Sequence, residues 1–330
     1  MSDKINVPPL QAFKIDGKTK LDFTPEWPDK AHQFERCEAV AIQAALLSGR
    51  PLLVEGPPGS GKTQIAAAAA AVLGRELIAF VVNTNTRPED LLWQYDALRR
   101  LNDAQANTLA EPEAYLSKGP LWLALDANNH REILPAISPC KPKGKQANGK
   151  VVLIDEIDKA DRSVPNSLLE VFGQGRFYCP HLKEEIGVGE GEPPLIVITS
   201  NREQQLPPAF VRRCLVLRVG LPGDEQTFIE KLSRRAEMHF GDDLTTDQYQ
   251  EIAQALWDYR QNSGLSEELQ PGQAEYLDLV RAISGALQQG LTQEDKQPLS
   301  FDDLMKDMRS LAFDKRGLGD PSAPEGDQVE

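Results

Sequence analysis

The chain has 330 residues, 40% of them hydrophobic and 26% charged, and carries a formal net charge of −14. That length allows a sizeable core and suits two domains. The acidic balance argues against broad nucleic-acid binding, because a phosphate backbone selects cationic surface, while leaving room for a local basic patch. Cys37, Cys140, Cys179 and Cys214 are scattered with no C-x-x-C pair, so a zinc site or disulfide framework is not expected, and the plain reading is reduced thiols in a cytoplasmic protein. Met1-Ser2-Asp3-Lys4 leads into no apolar stretch of the kind a signal peptide carries, and no run approaches the roughly 20 apolar residues of a membrane span.

Residues 1–30 are rich in proline and charge and show little periodicity; they are expected to form an extended arm lying on the domain. His32–Ser48 has helical spacing in Phe34, Cys37, Val40, Ala41, Ala44 and Leu47, with Gly49 suited to the C-cap. Pro51–Val54 is an apolar run, Glu55–Thr63 a glycine loop, and Gln64–Leu73 an alanine-rich, helix-favouring run. Leu77–Val82 is continuously apolar, as a buried parallel strand is, and ends in the polar Asn83–Thr86. Arg87–Leu92 reads as a helix start, with proline near the first turn and acids close behind. Residues 93–125 mix polar and apolar stretches, and 126–150 form a loop containing Lys141-Pro142-Lys143-Gly144-Lys145. Such a loop can bind an anion but is more often simply solvated.

Val151–Ile154 is a second buried strand, ending in Asp155-Glu156, and Ile157–Phe172 reads as the helix after it, with Val164-Pro165 near its start. Leu195–Ile198 is a third strand, ending in Thr199-Ser200-Asn201. A proline-containing turn over Leu206–Cys214 precedes a fourth, Leu215–Leu217 with Val219. Strands separated by helices predict a parallel α/β sheet, whose ligands sit beyond the carboxyl ends of the strands. One crevice can therefore gather the glycine loop, Asp155-Glu156 and Asn201. From Pro222 onward the amphipathic stretches 224–239, 246–261, 273–288 and 299–312, punctuated by Gly264, Pro271-Gly272 and Gly290, predict a second, all-helical domain. Residues 314–330, rich in glycine, proline and acids, read as a disordered tail, and there is no internal repeat.

Gly56-Pro57-Pro58-Gly59-Ser60-Gly61-Lys62-Thr63 fits G-x-x-x-x-G-K-[ST] between a strand and a helix. Glycines let the backbone N–H groups curl toward phosphate oxygens, and the helix start, at Gln64, adds donors and partial positive charge. Lys62 would place an ammonium on the β- and γ-phosphates, and the Thr63 hydroxyl would reach Mg²⁺. Asp155 would hold the same ion through water, and Glu156 would polarise an attacking water; paired acids here favour hydrolysis over transfer to another acceptor. Asn201 is a turn former or a partner of the γ-phosphate or of the water. Arg212 and Arg213 are either a surface ion pair or fingers that reach the γ-phosphate of a neighbouring subunit.

In that order, Gly56–Thr63, Val151–Glu156, Ile198–Asn201 and Leu206–Arg213, followed by helices, resemble the AAA+ ATPases. Within them the chain is similar to the MoxR branch, of dynein-related type. Glu89-Asp90-Leu91-Leu92 and Lys118-Gly119-Pro120-Leu121 match segments flanking that branch's insert, and Leu168–Phe172 with Gly175-Arg176-Phe177 matches the stretch after the acids. The resemblance spans about residues 35–290. It implies a P-loop AAA+ fold, a parallel sheet sandwiched by helices with a small all-α lid. The expected parts are an arm over 1–30, a nucleotide-binding domain over 31–220, a lid over 221–313 and an acidic tail over 314–330. The nucleotide-binding domain is expected to hold an insert within about 93–120 and an extra loop at about 126–150, longer than the branch usually has.

The resemblance makes Gly56–Thr63 Walker A, Asp155 and Glu156 Walker B, and Asn201 sensor 1. Arg213 stands at the arginine finger, with Arg212 and Cys214 where an Asp and a Phe would flank it. Ala274, or a near neighbour, stands where a lid arginine often sits, with Arg281 on the same predicted helix as a substitute. The branch implies ATP and Mg²⁺, a ring homo-oligomer, usually a hexamer, and a chaperone-like motor that remodels a client, often one with a von Willebrand factor A domain. The insert would line the pore or contact that client. Two other readings stay open: a nucleotide-gated switch or scaffold with slow hydrolysis, and a DNA-associated or GTP-using relative. The charge of −14 and the missing guanine-specific motif count against the last.

Overall fold

A computed structural model describes residues 7–15, 17–21, 30–126, 134, 135, 137, 139–141, 149–188, 192–266, 270–290 and 299–313. The tail over 314–330 and most of the loop over 126–150 lie outside the described residues. The chain divides into two compact units, Met1–Gly56 with Gly61–Val219, and Pro57–Ser60 with Gly220–Glu330.

In the first unit a 3-10 turn, Leu10–Phe13, precedes β1 (Thr19–Leu21), which pairs antiparallel with β2 (Lys30–His32). Phe13 and Leu21 are fully buried, so the described part of the amino-terminal stretch contributes to the core. Helix α1 (Arg36–Ser48) begins four residues later than its apolar spacing predicts. Residues 30–32 are taken up as strand, and the Glu38 carboxylate accepts the Glu35 N–H at 2.9 Å to start the helix there. Next come β3 (Leu52–Glu55), α2 (Lys62–Leu73) and β4 (Glu76–Val81). Arg87–Leu92 gives only a 3-10 turn, Pro88–Leu91, before β5 (Trp93–Tyr95). The chain continues through α3 (Ala97–Gln105), a 3-10 turn at Pro112–Tyr115, β6 (Leu116–Lys118), α4 (Pro120–Leu125) and β7 (Leu134–Pro135).

After β8 (Lys150–Asp155) the predicted helix over Ile157–Phe172 splits. A 3-10 turn covers Ile157–Lys159, and α5 runs Ser163–Gln174. Ala160 is extended between them, and the Asp161 carboxylate accepts the Ser163 N–H at 2.8 Å to restart the helix. The hairpin of β9 (Arg176–Cys179) and β10 (Glu184–Gly187) follows, then β11 (Leu195–Ser200), α6 (Pro208–Val211) and β12 (Leu215–Arg218).

Five strands pair in parallel in the order β12-β3-β11-β8-β4. The runs are continuously apolar because both faces are covered. Leu52, Val54, Val151 and Leu153 point into a core shared with α1 and the alanines of α2, whereas Leu53, Val152 and Ile154 point into one shared with α4 and α5. Ala66–Ala70 are wholly buried; their small side chains let α2 lie close on the sheet. The outer edge of β4 is occupied at Leu77, whose N–H and C=O bond Cys140 at 2.9 and 2.7 Å. This is the P-loop AAA+ fold.

A three-stranded sheet of β5, β6 and β7 stands beside it. Phe177 of the β9–β10 hairpin joins it to the core through Trp93, stacked at 5.6 Å, and Trp122, edge-on at 5.7 Å.

The second unit holds α7 (Glu225–Phe240), α8 (Thr246–Asn262), α9 (Gln273–Gln289) and α10 (Phe301–Phe313) around a core of their own, with Phe228, Leu232, Tyr249, Leu256, Tyr276 and Val280 buried. Asp224 and Thr245 cap α7 and α8 by accepting the N–H groups of Thr227 and Gln248.

Candidate functional site

Three neighbouring strands end together: β3 at Glu55, β11 at Ser200 and β8 at Asp155. The chain leaves β3 into the glycine loop, where the Gly56 N–H donates to Ser200 O at 3.2 Å. Within the loop tip the Ser60 hydroxyl donates to Pro57 O at 2.8 Å, and Gly59, next to Pro58, has φ +70°. A side chain on Gly59 would also fall 2.7 Å from the Ala274 Cβ, so the position requires glycine twice over. Gly61 turns the chain at φ +89° into α2, and Gln64 donates back to Gly61 O at 3.0 Å. Lys62 opens that helix, 6% exposed, with its ammonium donating to Gly56 O at 2.9 Å. Burial lowers its pKa, and the charges of Asp155, Asp158, Glu156 and Glu203 oppose that shift.

The Thr63 hydroxyl lies 3.1 Å from both carboxylate oxygens of Asp155. Thr199 donates to Asp155 Oδ1 at 2.6 Å and accepts the Glu156 N–H at 2.9 Å, so one hydroxyl fixes both acids. Glu156 sits at φ 60°, ψ 48°, a left-handed conformation that costs a residue with a side chain of order 1–3 kcal/mol. Its Oε1 is 3.3 Å from Asn201 Nδ2 and its Oε2 is 2.7 Å from Lys159 Nζ. Asn201, just past β11, is held in turn by Asp158, whose Oδ2 accepts the N–H groups of Asn201 at 3.1 Å and Glu203 at 2.9 Å. Asp158 is 1% exposed, and its Oδ1 has no hydrogen-bond partner among the described residues.

The structure thus brings Gly56, Lys62, Thr63, Asp155, Glu156 and Asn201 together. Arg212 and Arg213 follow α6, exposed, and among the described residues neither guanidinium makes a hydrogen bond or ion pair to that cluster. Arg50 braces their turn: its guanidinium donates to the carbonyls of Arg212, of Arg213 at 3.1 Å and of Cys214 at 3.0 Å. In the helical unit, Arg281 pairs with Asp278 at 2.9 Å and lies over the Phe240 ring at 5.8 Å. Lys141 pairs with Glu76 at 3.2 Å, while Lys143 and Lys145 lie outside the described residues.

Sequence reading missed Thr199, Asp158 and Lys159. A threonine interrupting the apolar run of β11 is one signal; an acid three residues past Asp155, which a 3-10 turn returns to the strand end, is another.

The residues fit a phosphate chain with a hard divalent cation. The buried Lys62 ammonium lies at the Gly56 end of the loop, and the Thr63 hydroxyl and Asp155 carboxylate are oxygen donors side by side. Mg²⁺ takes one or two protein oxygens and keeps water elsewhere. No group of three or more His, Cys, Asp or Glu forms a metal cluster among the described residues. No described helix is long and apolar enough to cross a membrane.

The family profile of the AAA domain, dynein-related subfamily, matches residues 51–214. No curated protein matches the chain. Among solved structures the chain is similar to a Thermotoga maritima RuvB mutant, at 16% identity and TM-score 0.49 over 86% of this chain and 71% of that one. It is also similar to the Thermotoga maritima RuvB Holliday junction branch migration motor, at 16% identity and TM-score 0.44 over 83% and 67%. Members of the matched family are nucleotide-binding ATPases that typically assemble into rings. Over residues 51–214 the chain therefore resembles an AAA domain of the dynein-related subfamily.

Proposed function

We propose that this chain hydrolyses ATP as a ring-forming, MoxR-type motor that remodels or activates a partner protein. The observation that carries the proposal is the hydrogen-bonded run Thr63–Asp155–Thr199–Glu156 beside the buried Lys62. In this reading the loop N–H groups and Lys62 bind the triphosphate. Thr63 and Asp155 would hold Mg²⁺, which when bound neutralises charge on the phosphates. Glu156 takes the proton of the attacking water, and Asn201 orients that water. Arg213, with Arg212 beside it, meets charge developing on the γ-phosphate of the neighbouring copy. Two exposed arginines whose backbone is braced by Arg50 and whose guanidinium groups lack a partner among the described residues support that role.

The helical unit is proposed as the lid over 221–313. Arg281 is engaged with Asp278 there, which favours a lid without a phosphate-sensing cation. Within the insert, α3 buries no residue and exposes Leu98 and Leu101 at 69% and 55%, an apolar face that supports contact with a client, in the MoxR reading one with a von Willebrand factor A domain.

Mixing two inactive variants tests the reading. Glu156→Gln and Arg213→Ala are each expected to stop turnover alone. Combined, they are expected to recover part of the wild-type rate, because some boundaries pair an intact Glu156 with an intact Arg213 from the next copy. An ATP-hydrolysing wild type whose mixed variants stay inactive would refute the shared site.

A further inference from the structure

Glu156 has both carboxylate oxygens engaged by neighbours: Asn201 Nδ2 on Oε1 at 3.3 Å and Lys159 Nζ on Oε2 at 2.7 Å. The two contacts differ in kind. Asn201 is tied into the site through its own N–H to Asp158 at 3.1 Å. Lys159 reaches back from the far end of the 3-10 turn Ile157–Lys159, and its N–H donates to Glu156 O at 3.0 Å. Backbone and side chain of Glu156 are therefore held by the same residue three positions on. With the Glu156 N–H on Thr199 at 2.9 Å and φ at 60°, Lys159 makes the shorter of the two contacts that fix the direction of the carboxylate once the backbone is set.

We infer that Lys159 is a positioning residue for Glu156: it holds the carboxylate in a resting pose and competes with the attacking water for Oε2. The inference rests on the ATP-hydrolysing reading above. A charge-assisted contact at 2.7 Å occupies a lone pair that a base would aim at water. The contact is also releasable. The two side chains are 37% and 30% exposed, and the Glu156 hydrogen bond raises the Lys159 pKa, so the ammonium stays charged at neutral pH. Exposed ion pairs bias an equilibrium by no more than about fivefold, a brake that binding of a partner or nucleotide can lift. Lys159 touches the base and none of the phosphate-binding atoms Gly56, Lys62 or Thr63 among the described contacts, so its effect belongs in kcat and not in ATP affinity.

The test compares steady-state ATP turnover of the full chain with Mg²⁺ for wild type, Lys159→Met and Lys159→Arg. Lys159→Met is expected to raise kcat by about two- to fivefold with KM for ATP unchanged. Lys159→Arg, which keeps the cation, is expected to stay near the wild-type rate and shows that the position tolerates substitution. Equal kcat for Lys159→Met and wild type, or a lower kcat with normal ATP binding, overturns the inference. A wild type that binds ATP but does not turn it over refutes the hydrolytic reading itself and this inference with it.

Discussion

Asp158 offers the sharpest test of how the site is held. Its buried Oδ2 accepts two backbone N–H groups, at 3.1 Å from Asn201 and 2.9 Å from Glu203, and so fixes the turn after β11. Each hydrogen bond to a charged group contributes about 1.5–3 kcal/mol net, giving about 3–6 for the pair. The buried Oδ1 without a partner among the described residues offsets about 1–2 kcal/mol of that. Asp158→Ala should therefore cost about 2–4 kcal/mol. With a urea m value of about 3 kcal/mol per molar for this unit, the midpoint falls by about 1 M. Asp158→Asn keeps one oxygen acceptor and should lose less than half as much. Hydrogen exchange supplies the local readout: the Asn201 and Glu203 amides should lose protection in Asp158→Ala. A midpoint within about 0.2 M of wild type, with both amides still protected, would refute the reasoning.

Other consequences follow from the same contacts. Lys118 and Asp126 form a buried pair at 2.8 Å, so Lys118→Met, which leaves the carboxylate without it, should cost about 3 kcal/mol, and Lys118→Met/Asp126→Leu should regain most of that in a urea titration. Trp122 is fully buried against Phe177, and its indole N–H has no partner among the described residues. Trp122→Ala should cost about 3–5 kcal/mol but Trp122→Phe less than about 1.5, read as thermal or urea shifts. Of the four cysteines only Cys37 is exposed, so a thiol reagent should label one site in the native protein and four after denaturation. Partial burial of its sulfur and the carboxylates of Glu35 and Glu38 raise the Cys37 pKa, so its thiolate is scarcer at a given pH than that of a free thiol, and labelling at pH 8 should be slower than that of a free thiol and speed up as pH rises. Burial pushes Cys214 up to about 12, which keeps it neutral and unlabelled over that range.

The parts legible in the sequence are those whose physics is local. The glycine loop is a contiguous backbone device, so its residue types must appear in order. Val151–Ile154 and Leu195–Ile198 are apolar on every position because helices cover both faces of the sheet. The β9–β10 hairpin was illegible because it is short and half-charged; Phe177 and Ile186 hold it down through contacts far along the chain. The helix after Glu156 reads as continuous in its apolar spacing, but Glu156 is turned left-handed and the chain spends Ile157–Lys159 on a 3-10 turn before α5 begins. That interruption is what places Asp158 and Lys159 at the strand ends. Their roles depend on a backbone turn that composition does not reveal.

Turnover of the Glu156→Gln variant measures most directly whether this carboxylate is the base. The substitution keeps the side chain's shape and the Asn201 contact but removes its ability to accept a proton from water. Hydrolysis should fall by about 10²- to 10⁴-fold while ATP affinity stays within a few-fold of wild type. Undiminished hydrolysis in Glu156→Gln would contradict the account.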